Sequence, residues 1–132
     1  MGGNLGTPLA TLAMQETVPE WVVVEVSSFQ LEWVDTFAPE VSAILNLSPN
    51  HLDRHASMQD YGAQKAKIWK NLRSNQSRVF NRDDIHSRDL PHAVEGRHIS
   101  FGASPIPSEG GARFFEDHVD IHVPPYQPIS YS

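Results

Sequence analysis

A lysine lies on the apolar face of a predicted helix in the middle of the chain. Ser57 is a suitable N-cap, and we predict a helix from there to about Leu72. At about 100° per residue, Lys65 falls in the centre of the apolar stripe. The other members of that stripe are Met58, Tyr61, Ile68, Trp69 and Leu72. A buried ammonium group is costly unless it is paired or chemically altered, so periodicity leaves two interpretations open: a lysine at the domain edge that reaches solvent, or a lysine with a chemical role.

A carboxylate interrupts an apolar run nearer the N-terminus. Residues 21–26 form a β-branched segment without alternation, which is typical of a strand buried on both faces, and Glu25 lies near its carboxyl end. Carboxylate oxygens are ligands that Mg²⁺ prefers. Glu25 is therefore either a metal ligand or a strand-end side chain that reaches water, and spacing does not decide between them.

The tract H-L-D-R-H follows a second apolar run, at residues 41–47, which predicts another buried strand. His51 begins this tract, in a polar loop at the carboxyl end of the strand. Ligands gather at the carboxyl ends of strands in open α/β sheets, so we expect Glu25 and His51 at the same edge. The spacing of His51 and His55 fits no zinc pattern, and loop polarity or capping is the alternative. The remaining histidines show no organised spacing and are expected at the surface: His86, His92, His98, His118 and His122.

A glycine-rich tract precedes the first predicted helix. Residues 2–6 have the sequence G-G-N-L-G, with Thr7 as a suitable N-cap and Pro8 as the first helical residue. Backbone N–H groups in such a segment can contact an anion, although a plain turn is the simpler interpretation. The phosphate-binding pattern G-x-x-x-x-G-K-[ST] does not occur in the sequence.

Composition excludes several classes of protein. The chain has 132 residues, 39% hydrophobic and 20% charged, which fits one folded domain. It has no cysteine, which excludes a disulfide framework, a thiolate nucleophile and a cysteine zinc site, and fits a cytoplasmic location. No apolar run approaches the ~18 residues of a membrane span. The net charge of −6 and the absence of Lys and Arg from the first 50 residues argue against nucleic-acid binding.

The two apolar runs and the helical segments around them predict an α/β fold. We expect a partial, mostly parallel sheet flanked by helices, with a third strand at residues 78–81. Short strands near residues 113–116 and 119–122 predict a small β-hairpin toward the C-terminus, and the last eight or so residues are expected to form an unanchored tail. Residues 1–102 are predicted to be one unit, and residues 103–132 an irregular extension rich in Pro and Gly.

Four segments of the chain carry motifs that occur together in a known family. They are G-G-N-L-G-T-P at residues 2–8, E-V-S-S-F-Q-L-E at 25–32, I-L-N-L-S-P-N-H-L-D-R-H at 44–55 and Y-G-A-Q-K at 61–65. In this order they resemble the central, ATP-binding domain of the Mur ligases. The second segment is similar to the branch of that family that adds D-glutamate. The resemblance covers residues 2 to about 102.

The resemblance implies an ATP-dependent amide ligase of peptidoglycan precursor synthesis. ATP would phosphorylate the carboxylate of UDP-N-acetylmuramoyl-L-alanine, and the amine of D-glutamate would attack the acyl phosphate. The resemblance also implies a pair of Mg²⁺ ions held by Glu25, His51 and Lys65, with His51 and Lys65 as catalytic residues. Lys65 would act as a carbamate formed with CO₂, which would explain a lysine on an apolar stripe. The residues implied to contact substrate are Asn4, Ser27 and Ser28.

The chain also departs from the family pattern. Asn50 stands where the family commonly has Asp, and the family's phosphate-binding loop is absent from the sequence. Because this loop is absent, we expect a fragment that is inactive alone. We also expect self-association, because a sheet that lacks its first strand exposes an edge.

Two alternative functions remain beside the ligase fragment. One is a non-catalytic α/β binding module with a residual ligase-like surface, and the other is a small hydrolase that uses Glu25 and His51. The absence of a G-x-S-x-G pattern disfavours the hydrolase. The joint presence of Asn4, Glu25, His51 and Lys65 favours the ligase fragment over the module.

Overall fold

The computed structural model describes residues 1–17, 19–49, 54–90 and 95–131. Its elements are β1 (Gly2–Gly3), α1 (Leu9–Ala13), β2 (Val24–Glu25), α2 (Ser28–Glu32), β3 (Val41–Ile44), α3 (Met58–Ala66), a 3-10 helix (Lys67–Trp69), β4 (Ser77–Asn81), α4 (Ile85–Arg88), β5 (Arg97–Gly102), β6 (Gly111–Phe114), β7 (Val119–His122) and β8 (Ile129–Tyr131). None of the helices in the described ranges has the length and apolar character that crossing a bilayer requires.

Within the described residues the strands form two sheets, one of two strands and one of six. β1 pairs with β2 in parallel, and the larger sheet has the order β3-β4-β5-β6-β7-β8. Pairing is parallel from β3 to β6 and antiparallel from β6 to β8. Helices α3 and α4 lie in the connections that parallel neighbours require. The predicted α/β fold, its mostly parallel sheet and its C-terminal hairpin are confirmed.

The C-terminal strands continue the larger sheet. β6 pairs in parallel with β5, through Ser100↔Gly111, Phe101↔Ala112 and Gly102↔Arg113. β8 pairs with β7, so residues 129–131, in the segment that we expected to be an unanchored tail, form an edge strand, and that prediction was wrong for them. The division of the chain at residue 102 stays a prediction.

Strand β2 is much shorter than the apolar run that predicts it. Its partner β1 has only two residues, so the ladder ends after Gly2↔Val24 and Gly3↔Glu25. Trp21 and Val23 are 70% and 68% exposed. The prediction that residues 21–26 are buried on both faces was therefore wrong, because within the described residues no second layer covers these side chains.

Helix α3 begins as its cap predicts and packs on the larger sheet. The hydroxyl of Ser57 accepts a hydrogen bond from the Asp60 N–H, and the α-helix passes at Ala66 into the 3-10 turn. The buried core of this region consists of Ile44, Leu47, Tyr61, Ala66, Trp69 and Leu90.

A guanidinium group lies inside this core. Arg78 is buried in β4 with its Cζ 4.4 Å from the ring centroids of both Trp69 and Phe80. Its Nε and Nη1 atoms have no hydrogen-bond partner among the described residues, and burial lowers the pKa of Arg78 to about 10. Cation–π contact with the two rings therefore stabilises the positive charge inside the core.

Candidate functional site

Residues from three elements meet at the carboxyl end of β2. The Asn4 N–H donates to the Glu25 carbonyl oxygen at 2.8 Å, so the chain after β1 runs beside the end of β2. Gly3 has a φ of +111°, and a side chain there would overlap the Glu25 carbonyl. This close approach requires glycine and brings the backbone of Asn4 beside that of Glu25.

Lys65 reaches the same strand end from α3. Its Nζ lies 3.5 Å from the Val26 carbonyl oxygen and 5.9 Å from the centroid of the Tyr61 ring. Burial lowers the pKa of Lys65, while the negative charge of Glu25 acts in the opposite direction. The side chain therefore turns toward β2 and is partly desolvated there.

The hydroxyls of Ser27 and Ser28 are both engaged within the protein. Ser27 is the N-cap of α2 and forms a capping box with Gln30. Ser28 is 2% exposed, and its Oγ lies 3.2 Å from His55 Nε2. Both serines thus lie beside Glu25 in the fold, and their predicted contact with substrate stays a prediction.

His55, which the sequence predicts only as part of a polar loop, is among the most buried polar residues. It is 3% exposed and contacts Ser28 of α2 and Asp60 of α3. The spacing of H-L-D-R-H gave no signal for this, because α2 was not predicted and the partner of His55 lies far away along the chain. The only indication in the sequence that His55 has a structural role was its place as the second histidine of the tract.

The other histidines are only partly at the surface. His86 is exposed, whereas His98, His118 and His122 are partly buried. His92 lies outside the described residues. The three partly exposed histidines lie on or beside paired strands of the larger sheet, which cover part of each ring.

The Asp84 side chain holds the segment that follows β3. The Leu47 N–H donates to Asp84 Oδ2 at 2.7 Å, and the His86 N–H donates to Asp84 Oδ1 at 3.1 Å. Burial alone would raise the pKa of Asp84, but these hydrogen bonds outweigh it and hold the pKa below its ordinary value. The Asp84 carboxylate therefore fixes the position of Leu47, which lies four residues before His51.

An open cleft of about 670 Å³ adjoins the end of β2. Its walls come from the β1–α1 segment, from β2 and from α2 with the residues after it. The lining residues include Gly3, Leu9, Glu25, Gln30, Trp33 and Phe37. Glu25 thus lines a space large enough for part of a substrate.

The donor set fits Mg²⁺ only in part within the described residues. Glu25 is exposed and forms no ion pair with any residue that the structure describes, so its oxygens are free to act as hard ligands. No group of three or more His, Asp or Glu side chains in the described ranges is arranged to hold a metal ion. Asn50 and the predicted ligand His51 lie outside those ranges.

Comparison with known proteins matches almost the whole chain to one domain type. Residues 2–123 match the family model described as the Mur ligase middle domain, which extends past residue 102, where the sequence resemblance ends.

Named relatives give a consistent picture. The chain is 40% identical over 117 residues to a UDP-N-acetylmuramoylalanine--D-glutamate ligase of Natranaerobius thermophilus, covering 89% of this chain and 25% of that protein. It is 44% identical over 101 residues to the protein of the same name from Koribacter versatilis, covering 76% and 22%. The chain spans about a quarter of the length of the curated relatives it matches.

Proposed function

Because the chain belongs to the Mur ligase family, we propose that it supplies the metal-binding and substrate-facing side of an ATP-dependent amide ligase site. The proposed reaction joins D-glutamate to UDP-N-acetylmuramoyl-L-alanine in the cytoplasm, during peptidoglycan precursor synthesis. The name shared by the relatives supports this choice of substrates, as does the S-S-F-Q-L-E segment.

The proposed chemistry proceeds by two transfers. The substrate carboxylate takes the γ-phosphoryl group of ATP and releases ADP. The amine of D-glutamate then attacks the acyl carbon, phosphate leaves, and the amine loses a proton as the amide forms. Both steps gather several anions at one place, so the site must concentrate positive charge and exclude misaligned substrates.

The observation that carries the proposal is the convergence of Asn4, Glu25 and Lys65 at the end of β2. Glu25 would hold Mg²⁺ together with His51, and Asn4 would contact the substrate beside it. When bound, Mg²⁺ would neutralise charge on the transferring phosphoryl group. Ser27 and Ser28 would position the start of α2, which forms one wall of the cleft beside Glu25.

Lys65 is proposed to carry a carbamate. Its neutral amine would add CO₂ to form an N–C bond and release a proton, which converts a cation into an anionic oxygen ligand. Partial burial lowers the pKa of Lys65 and so favours the reactive amine. Incubation with ¹³C-bicarbonate should give a carbamate carbon signal in NMR, which Lys65→Met abolishes and the exposed Lys70→Met retains.

Metal titration tests the proposed role of Glu25. We expect the chain to bind Mn²⁺, used as a spectroscopic substitute for Mg²⁺, and Glu25→Ala to weaken binding at least tenfold. Glu20→Ala also removes an exposed carboxylate, but one that is not among Asn4, Glu25 and Lys65, and should leave the affinity unchanged. Equal affinities of the unaltered chain and Glu25→Ala would contradict the proposal and favour the binding module.

The chain alone is not expected to complete the ligation, since its sequence has no G-x-x-x-x-G-K-[ST] loop to cradle phosphates. Phosphate release that depends on both ATP and D-glutamate measures this directly. Turnover above background by the unaltered chain would contradict the expectation.

A second expectation is self-association through β3. This strand is an edge of the six-stranded sheet as described, and Val41 and Leu45 are largely exposed on or beside it. Size-exclusion chromatography should show a dimer or larger species whose share falls in Val41→Lys. A monomer at all concentrations would contradict this expectation.

A further inference from the structure

His55 joins the two helices that flank the proposed site. Its Nε2 lies 3.2 Å from Ser28 Oγ in α2, and its Nδ1 lies 3.5 Å from Asp60 Oδ2 in α3. Both Ser28 and His55 are almost fully buried. A buried imidazole costs free energy unless its polar atoms are satisfied, so these contacts determine where the ring can sit.

Aromatic contacts hold the same ring from its faces. The Phe29 ring is stacked at 5.9 Å with an interplanar angle of 12°, and the Tyr61 ring lies at 5.1 Å, tilted by 40°. The Tyr61 ring is in turn 5.9 Å from Lys65 Nζ. His55 therefore contacts the side chain against which Lys65 packs.

These contacts form a closed circuit around the end of β2. Starting at Val26, the path runs to Lys65 through its 3.5 Å contact, then to Tyr61 and His55. From His55 it returns through Ser28 to the start of α2, which directly follows β2. Lys65 lies on one arm of this circuit, Ser28 lies on the other, and His55 joins the two arms. Glu25 directly precedes Val26, where the circuit begins.

The carboxylate also fixes the tautomer of the neutral ring. Asp60 Oδ2 accepts a hydrogen bond from the Ala56 N–H at 3.3 Å and lies 3.5 Å from His55 Nδ1, where the negative charge of the carboxylate favours a proton on that nitrogen. Nδ1 therefore carries the proton in the neutral imidazole. Nε2 is then an acceptor, and the Ser28 hydroxyl donates to it.

We propose that His55 is a positioning residue that sets the placement of Lys65 relative to Glu25, by holding α2 against α3. This role rests on the proposed function of Glu25 and Lys65 in metal binding. His55 itself does not contact metal or substrate. Groups that orient ligands in this way typically change metal affinity by about 10- to 100-fold when they are altered.

The experiment measures Mn²⁺ affinity of the full chain by electron paramagnetic resonance, with thermal unfolding followed in parallel. His55→Phe keeps a ring for Phe29 and Tyr61 but removes both polar contacts, and should weaken Mn²⁺ binding about tenfold. His55→Gln restores an amide near the Nε2 position and should bind more tightly than His55→Phe. His86→Ala, an exposed histidine outside the circuit, is the matched control and should not change the affinity.

The outcomes separate this inference from the proposed function. If Glu25→Ala weakens binding while His55→Phe stays within twofold of the unaltered chain, the positioning role is wrong and the metal site stands. If the unaltered chain binds no Mn²⁺, both are wrong. If His55→Phe does not fold, Ser28→Ala decides, because an affinity equal to that of the unaltered chain overturns the role.

A spectroscopic measurement checks the tautomer directly. In ¹⁵N NMR of the neutral ring, Nδ1 of His55 should show the shift of a protonated nitrogen and Nε2 that of an acceptor. The opposite pattern would overturn the assigned network. A His55 ring whose ¹⁵N shifts show both tautomers in rapid exchange would overturn the assigned network as well.

Discussion

The two sheets of this molecule differ in what covers them. The six-stranded sheet packs against α3 and the 3-10 turn, with Trp69 and Arg78 completely enclosed. The two-stranded sheet has strands of two residues, and exposed apolar side chains such as Trp21 and Val23 lie next to it. Stability therefore resides in the larger sheet, whereas Asn4 and Glu25 lie on the smaller one.

This difference explains why the contacts between α2 and α3 matter. Glu25 belongs to a strand with little packing of its own, and Lys65 belongs to a helix anchored in the core. The His55 circuit joins them, so the geometry of the proposed site depends on how firmly the smaller unit is held to the larger.

The largest expected effect is in the core of the larger sheet. Trp69→Ala removes a side chain with 0% exposure and one of the two rings beside Arg78, and should lower the free energy of unfolding by about 3–5 kcal/mol. Trp33→Ala, at 84% exposure, should change it by less than about 0.5 kcal/mol. Urea unfolding measures both variants. Similar losses of unfolding free energy would contradict the conclusion that stability resides in the larger sheet.

A smaller loss is expected at the junction between β3 and α4. Asp84→Ala removes the α4 cap and the acceptor for the Leu47 N–H, and should cost about 1–2 kcal/mol at neutral pH. Because the pKa of Asp84 is lowered in the folded protein, its contribution is present above the unfolded value of 3.8 and is lost as pH falls through the folded value.

The pH dependence provides the check. The difference in stability between the unaltered chain and Asp84→Ala should shrink below about pH 4, by urea unfolding at a series of pH values. Asp35→Ala alters an exposed carboxylate and serves as the control. A difference that is constant down to pH 2 would contradict the assigned role of the carboxylate.

The next largest effect on stability is expected at Lys65, which extends from α3 to the end of β2. Its ammonium is partly desolvated, so Lys65→Met should be neutral or stabilising by up to about 1 kcal/mol. Lys70→Met, at an exposed position beside Asp35, should be neutral. Thermal unfolding compares them, and a marked destabilisation by Lys65→Met alone would show that the ammonium is needed for folding.

The smallest expected effect is at Glu25. Glu25→Gln keeps the shape of an exposed side chain and should change stability by less than about 0.5 kcal/mol, although it weakens Mn²⁺ binding. A large loss of stability together with weaker binding would mean that Glu25 supports the fold and would remove the distinction between the two regions.

The sequence predicted the elements that have a local signature. Ser57 identified the start of α3, and the apolar runs identified β3 and the parallel sheet. Lys65 was conspicuous because its charge conflicts with the apolar stripe. Its partner at Val26 was not predictable, because helix periodicity gives the direction of a side chain but not the element that it meets.

The elements that the sequence missed are stabilised by partners far away in the chain. Helix α2 has five residues, too few to show a periodic pattern, and only the capping box of Ser27 and Gln30 marks it. The length of β2 depends on its partner β1 rather than on its own β-branched residues. His55 resembled a loop residue because its burial arises from two helices that meet around it.

The enclosed indole of Trp69 has a practical consequence. Of the three tryptophans, Trp21 and Trp33 are open to solvent and lie near the smaller sheet, while Trp69 is sealed beside Arg78. Iodide should therefore quench the red-shifted emission of the first two and spare a blue-shifted component from the third. Fluorescence of the unlabelled protein thus reports separately on the loosening of each region.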